Sequence, residues 1–219
     1  MSKRRKLFLS TFILFILAVV YTLLVMKYDV QSIGPEGSKV GFAGINGVIH
    51  NLLPYNDTWY KITKYLGVVP FLYCAFYGLQ GIIQLIKHKS IKKVDKRLIY
   101  LGVFYVVMLA LYVLADKIVI NYRPILEDGV LESSYPSSHT LLAVCVCASS
   151  LLISKYYIKD TKMLKIFDCI TYILMIVLVV GRLISGVHGL TDILGGIIIS
   201  TFLVYLYYSF IYTYKKIRD

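Results

Sequence analysis

The sequence predicts an all-α protein that crosses a membrane six times, and three observations lead to that prediction. Hydrophobic residues make up 58% of the 219 residues, whereas an average soluble domain contains about 45–50%. Six hydrophobic segments are each long enough to span a bilayer as a helix, which takes about 20 residues. The charged residues collect between these segments. We therefore expect residues 1–219 to form a single six-helix membrane domain.

The six predicted spans are joined by short connections, apart from one long stretch after the first span. We place them at Leu7–Met26, Leu66–Ile86, Leu98–Ile120, Thr140–Ile158, Ile166–Leu183 and Leu190–Tyr212. The first span follows a basic tetrapeptide, as the apolar core of a signal peptide does. It is long for such a core and lacks a small-x-small cleavage site, so we expect a retained helix.

Clusters of lysine and arginine predict which side of the membrane each connection occupies. Such clusters precede the first span, lie between the second and third and between the fourth and fifth, and follow the sixth, at Lys215, Lys216 and Arg218. An even number of crossings separates them, so the positive-inside rule places all four, and both termini, in the cytoplasm. The net charge of +12 thus reflects membrane topology, and we expect a plasma-membrane protein that does not bind nucleic acid.

Residues 27–65 form the long exterior connection, which we predict to be an interfacial segment or a lid. Repeated glycines between residues 34 and 47 argue against one continuous helix. Residues 44–60 mix apolar side chains with asparagines and His50, as a segment at the membrane surface does. We favour a lid over a plain tether because long ordered loops are usually functional, and we interpret His50 as interfacial rather than catalytic.

A stretch between the fifth and sixth spans, GRLISGVHGLTD, carries three of the candidate site residues. Arg182, His188 and Asp192 lie beside membrane-length apolar runs, where ionisable residues are costly and mark functional sites. Asp192 follows His188 by four residues, so on a helix the two would share a face. The carboxylate could then orient the imidazole.

Two further exterior stretches extend this group. The third span is predicted to continue towards an Arg-Pro pair, with Lys117 in its last turns and Arg123 at the water boundary. The motif YPSSHT then leads into the fourth span, so Ser137 or Ser138 could cap that helix beside His139. Each residue alone fits an ordinary role at a helix end. Topology nevertheless brings all of them to one exterior level, where cations and two histidines suit phosphoryl transfer.

The three stretches resemble the signature of the type-2 phosphatidic acid phosphatases, membrane relatives of the vanadium haloperoxidases. That signature reads Lys, six residues, Arg-Pro; then Pro-Ser-Gly-His; then Ser-Arg, five residues, His, three residues, Asp. The matching positions of this sequence are Arg123, Pro124, Pro136, Ser137, His139, Arg182, His188 and Asp192. Three positions differ: Asp116 lies where the family has lysine, with Lys117 one residue later, Ser138 replaces glycine, and Gly181 replaces serine.

The resemblance implies a role for each matching residue. His188 would be the nucleophile that forms a phosphohistidine, with Asp192 orienting it, and His139 would be the general acid. The residues implied to bind phosphate are Arg123, Arg182 and Ser137, with Ser138 and Lys117 as further candidates. The family needs no metal or other cofactor, and the sequence shows no clear carboxylate cage for one.

The function we expect is removal of a terminal phosphate from an amphiphilic lipid at the outer membrane surface. Polyprenyl diphosphate, phosphatidylglycerol phosphate and phosphatidic acid are the candidate substrates. Two alternatives remain open: transfer of the phosphate to a sugar or lipid acceptor, and lipid-phosphate binding or transport without turnover. Glu127, Asp128 and Glu132 could contact an acceptor, although we favour a solvated loop for them.

Overall fold

The protein is an all-helical bundle. A computed structural model describes residues 2–218, with the side chains of Asp116 and of residues 215–218 outside the described set. The α-helices are α1 (Lys3–Lys27), α2 (Ala43–Leu52), α3 (Asp57–Leu66), α4 (Val68–His88), α5 (Lys96–Lys117), α6 (Ser138–Ile153), α7 (Thr161–Ile184) and α8 (Leu190–Arg218). Within the described residues, six helical stretches are long and apolar enough to span a membrane, with α3 and α4 forming one of them.

The number and order of the predicted spans are confirmed, but the predicted end of the third span is wrong. Helix α5 ends at Lys117 rather than at Ile120, so Arg123 lies in an extended connection of residues 118–137. Helix α6 begins at Ser138 and is capped by the Ser137 side chain. The predicted basic cluster at Lys215, Lys216 and Arg218 lies outside the described side chains.

Helix α6 lies at the centre of the bundle. It packs against α4, α5, α7 and α8, while α1 packs along α8. Its small side chains, among them four serine or cysteine residues that are fully buried, allow neighbouring helices to approach closely. The outer faces of the other spans expose large apolar side chains, as helices that face lipid do.

The segment between α1 and α4 folds back over the end of the bundle where α7 ends and α8 begins, which we call the site end. Helix α2 is tied to α8 through Asn46, whose side-chain amide donates to Thr191 Oγ1 at 2.8 Å. Helix α3 packs directly on α7. The four predicted basic clusters lie in the first turn of α1, around the connections from α4 to α5 and from α6 to α7, and in the last turns of α8, so they belong to the opposite end of the bundle.

Candidate active site

Helix α8 begins at Leu190, two residues after His188, and its first turn fixes the position of Asp192. The backbone N–H of Gly189 donates to Asp192 Oδ2 at 2.8 Å, so the carboxylate caps its own helix from the third helical position. Because His188 precedes the helix, the two side chains do not share a helical face, and that prediction is wrong. Among the described residues, no direct hydrogen bond or ion pair joins His188 to Asp192.

Ser134 connects the histidine to the carboxylate instead. Its hydroxyl donates to Asp192 Oδ2 at 2.5 Å and lies 3.0 Å from Nδ1 of His188. A hydroxyl has one proton, so a Ser134 that donates to Asp192 accepts from the imidazole. The hydrogen bonds therefore place the ring proton on Nδ1 and leave the lone pair on Nε2, a buried atom without a hydrogen-bond partner among the described residues.

The Asp192 carboxylate accepts one further hydrogen bond, the third after those from Gly189 and Ser134, and the three together fix its orientation. The Asn121 side chain donates to Oδ1 at 3.0 Å, while Asn121 Oδ1 accepts the backbone N–H of Gly41 at 2.8 Å. The carboxylate is thereby linked to the segment that folds over the site end. His188 itself is 4% exposed.

The turn that carries His188 is held against the segment before α3. Gly186 has a φ of +69°, and a Cβ at this position would lie 2.7 Å from backbone atoms of Pro54 and Tyr55. Only glycine permits both the left-handed conformation and this close approach. One residue earlier, the carbonyl of Ser185 accepts the backbone N–H of Asn56 at 3.0 Å. The residues that lead into α3 are thus part of the support for the nucleophile candidate.

His139 and Arg182 face each other beside this histidine. Nη2 of Arg182 lies 2.8 Å from Nδ1 and 2.9 Å from Nε2 of His139. Nη1 of Arg182 donates to Thr63 Oγ1 at 3.4 Å, and its guanidinium carbon lies 5.2 Å from the centre of the Tyr60 ring. Arg182 is 1% exposed and forms no ion pair with a described residue.

Arg123 lies on an arm that resembles a β-hairpin, formed by residues 121–134. Isolated antiparallel bridges join Tyr122 to Ser133 and Glu127 to Val130. Asp128 and Gly129 occupy the turn with φ values of +51° and +79°, the conformation that an Asp-Gly pair favours in tight hairpins. The pairing places Asn121 opposite Ser134 and Arg123 opposite Glu132.

The guanidinium of Arg123 is paired with two carboxylates of the same arm. Glu132 lies 3.0 Å away, and Glu127 forms a second ion pair. Glu127 also accepts the hydroxyl proton of Tyr60 on α3. The prediction that these glutamates belong to a solvated loop is therefore wrong, because the hairpin pairing turns them towards Arg123. Of the three acidic residues, only Asp128 lies at the exposed turn of the arm.

His188 combines deep burial with nearby positive charge. Burial is the main cause that lowers its pKa well below the usual value of 6.5, and the charges of Arg123 and Arg182 lower it further. The imidazole is consequently neutral at pH 7, in the form that a nucleophile requires. Among the described residues, no three His, Cys, Asp or Glu side chains are grouped so that they could hold a metal ion.

The comparisons with known proteins agree with this geometry. Residues 117–216, which include the hairpin arm and α6 to α8, match the model of the PAP2 superfamily. The match covers 100 of the 219 residues and identifies that part of the chain as a PAP2 segment. The predicted family is thereby confirmed. No curated protein sequence matches the chain.

The fold of the chain also occurs in a crystal structure described as the first transmembrane PAP2-type phosphatidylglycerolphosphate phosphatase from Bacillus subtilis. The two structures superpose with a TM-score of 0.58 at 16% sequence identity, over 93% of this chain and 96% of the other. At this identity the likeness shows the fold. The all-α fold class with six candidate spans is thus confirmed.

The residues that match the PAP2 signature come together, whereas the side chains of the two further candidates, Ser138 and Lys117, make no polar contact with a described residue there. Arg123, Ser137, His139, Arg182, His188 and Asp192 all lie at the site end. Ser137 is fully buried, caps α6 and donates its backbone N–H to the carbonyl of Asp192 at 3.0 Å. Ser138 is half-buried and Lys117 is exposed. Neither side chain forms a hydrogen bond or ion pair with any residue that the structure describes.

Two supporting residues of the PAP2 site, Ser134 and Asn121, were not predicted from the sequence. Both lie on the hairpin arm, and the Asp-Gly pair at its turn was the available signal. His50, interpreted as interfacial, is half-buried and lines a cavity of about 440 Å³ beside α2 that reaches Asn121 and Asp192. Burial lowers the pKa of His50. A catalytic role for it has no support in this arrangement.

Proposed function

We propose that this protein is an integral-membrane lipid phosphatase that works through a phosphohistidine. The observation that carries the proposal is the state of His188. Its Nδ1 is fixed through Ser134 to Asp192, while its Nε2 is buried without a partner among the described residues. A neutral imidazole held in this tautomer presents a lone pair that can attack phosphorus.

In the first step, Nε2 of His188 attacks the phosphorus atom of the lipid phosphate. A nitrogen–phosphorus bond forms, and the bond between phosphorus and the leaving oxygen breaks. The leaving oxygen takes a proton from His139. The positive charge that develops on the His188 ring is stabilised through Nδ1–H, Ser134 and the Asp192 carboxylate.

In the second step, water attacks the phosphohistidine. An oxygen–phosphorus bond forms, the nitrogen–phosphorus bond breaks, and the water proton passes to His139, which returns to its starting state. Arg182 and Arg123 hold the non-bridging phosphate oxygens in both steps. These cations contact His139 and the two glutamates, so a bound phosphate must displace both contacts.

We propose that the site lies on the extracytoplasmic side of the plasma membrane. The support is the charge distribution: the connections rich in lysine and arginine belong to the end of the bundle opposite the site, and such connections stay in the cytoplasm. Residues 27–65 would act as a lid. Phosphatidylglycerol phosphate, polyprenyl diphosphate and phosphatidic acid are the proposed substrates, with no metal required.

The test is phosphate release from these three lipids by the purified full-length chain in detergent that contains a metal chelator. We expect release from at least one lipid and a loss of at least about 10³-fold in kcat for His188→Ala. Unchanged release by His188→Ala would refute the mechanism. Release that appears only when a sugar or lipid acceptor is added would instead identify a phosphotransferase, and no release from any lipid would favour a binding protein.

A further inference from the structure

Helix α3 is packed unusually closely against the Arg182 side of the site. A Cβ at Gly181 would lie 2.6 Å from Cγ2 of Thr63 and 3.1 Å from the Trp59 ring. The glycine at this position therefore allows α3 to lie where a serine would push it away. Gly181, which replaces the serine of the family signature, therefore permits the position that α3 occupies.

Thr63 uses this close packing to hold Arg182. Its side chain is fully buried, and its hydroxyl donates to the carbonyl of Trp59 at 2.9 Å. Because this bond uses the only hydroxyl proton, the Thr63 oxygen can still accept a hydrogen bond through a lone pair. Nη1 of Arg182 donates to this oxygen at 3.4 Å, so α3 provides a hydroxyl acceptor that orients the guanidinium.

Lys64, the next residue of α3, is exposed and brings a further cation to the Tyr60 ring that also contacts Arg182. It lines a cavity of about 260 Å³ together with Tyr60 and Glu127. Nζ of Lys64 lies 5.4 Å from the centre of the Tyr60 ring, and the guanidinium carbon of Arg182 lies 5.2 Å from the same centre.

We propose that Lys64 binds a non-bridging oxygen of the substrate phosphate and that Thr63 is a positioning residue for Arg182. The nature of the phosphate ligand rests on the proposed function. A lysine on a flexible stem acts as a movable point charge for phosphate. The cavity that Lys64 lines also contains Tyr60, which contacts Arg182, and Glu127, which pairs with Arg123. Lys117, at the end of α5, is exposed as Lys64 is, but it has no comparable contact with a described residue of the site.

The first test measures the affinity of inorganic phosphate for the purified full-length chain by calorimetry. Loss of one charge-assisted contact should weaken binding about 10-fold in Lys64→Ala, and Lys64→Arg should retain most of the affinity. Lys61→Ala is the matched control, because Lys61 lies on the same helix, is exposed and pairs with Asp57. Equal affinities for Lys64→Ala and Lys61→Ala would overturn the proposal, as would weaker binding in Lys117→Ala alone.

The second test compares two variants of Thr63 in lipid hydrolysis. Thr63→Val removes the hydroxyl and should raise KM about 3- to 10-fold, whereas Thr63→Ser keeps the hydroxyl and should restore KM. Thermal unfolding of both variants controls for packing. If Thr63→Ser were as impaired as Thr63→Val, the methyl group rather than the hydroxyl would matter, and the positioning role would be refuted.

The two proposals fail in different ways. Phosphate binding requires no turnover, so a wild-type chain that binds phosphate through Lys64 but hydrolyses no lipid would contradict only the proposed function. Lipid hydrolysis that depends on His188 but not on Lys64, with phosphate affinity unchanged in Lys64→Ala, would contradict only the present inference. A wild-type chain that binds no phosphate would contradict both.

Discussion

The two arginines of the site lie in opposite electrostatic surroundings, although both are almost completely buried. Arg182 is 1% exposed, and its neighbours on α3 and α6 carry no carboxylate: the Thr63 hydroxyl, the Tyr60 ring and the His139 ring. Arg123 is 8% exposed and is paired with Glu127 and Glu132. The α3 side of the site therefore offers an uncompensated positive charge, whereas on the hairpin side phosphate must compete with carboxylates.

The glutamates of the hairpin arm explain how two neighbouring buried guanidinium groups can be accommodated. Two uncompensated buried guanidinium groups would repel each other and would lack the counter-charges that buried ions need. The hairpin arm compensates one of them with its own glutamates and leaves the other ready for an anion. Tyr60 connects the two sides, since its hydroxyl bonds Glu127 while its ring contacts Arg182.

The largest expected effect comes from removing the uncompensated charge. Arg182→Ala should lower kcat/KM for a lipid phosphate by about 10²–10³-fold, the usual cost of losing a donor to transition-state charge. Arg123→Ala should also lose activity, partly because Glu127 and Glu132 then repel phosphate. Replacing both glutamates by glutamine should therefore recover about 10-fold in the Arg123→Ala background. If the same double substitution recovered kcat/KM equally in the Arg182→Ala background, the glutamates would not act specifically through Arg123.

A smaller effect is expected from the bridge between His188 and Asp192. Ser134→Ala should lower kcat about 10- to 100-fold with little change in KM, because the imidazole loses its fixed tautomer while phosphate binding remains. Ser133→Ala is the matched control, since the neighbouring hydroxyl only donates to the carbonyl of Ala115. Steady-state kinetics of both variants checks this, and similar values for the two would rule out the bridge.

Removing a carboxylate that competes with phosphate for Arg123 should increase the affinity for phosphate a few fold. Glu127→Gln removes one carboxylate from Arg123, so inorganic phosphate should inhibit hydrolysis at about 3- to 10-fold lower concentration. Asp128→Asn is the control, because it removes a charge at the turn and asparagine tolerates the same conformation. Weaker inhibition in Glu127→Gln would show that the glutamate assists phosphate binding rather than competing with it.

The smallest effect concerns stability against acid. His188 has a lowered pKa in the folded chain, so between that pKa and about 6.5 the unfolded chain binds the extra proton. Stability should therefore fall as pH decreases below about 6.5, by at most about 1.4 kcal/mol per pH unit for this one group. Thermal unfolding between pH 7 and pH 5 should show a smaller dependence in His188→Asn. An unchanged dependence would contradict a buried neutral imidazole.

The spans and the grouping of the signature residues could be predicted because they depend on local patterns. Apolar segment length, basic clusters and motif spacing are all readable along the chain. The same patterns misplaced the end of α5, because the apolar residues Ile118 to Ile120 continue the hydrophobic run after the helix has ended.

The finer structure of the site depends on contacts between distant segments. Ser134 bridges His188 to Asp192 only because the hairpin arm folds beside α8, and the glutamates reach Arg123 through the same pairing. The replacement of serine by Gly181 makes sense only with α3 packed against it. Asp192 binds the start of its own helix, so its spacing from His188 did not predict their connection.

The most direct test of the account is rapid-quench labelling of the enzyme with a lipid that carries a ³²P-labelled terminal phosphate. The account predicts an acid-labile, base-stable phosphoenzyme whose label lies on the peptide that contains His188. The label should be absent in His188→Ala and should form in the wild type before phosphate is released. A label on any other residue, or release of phosphate by His188→Ala at the wild-type rate, would contradict the central claim.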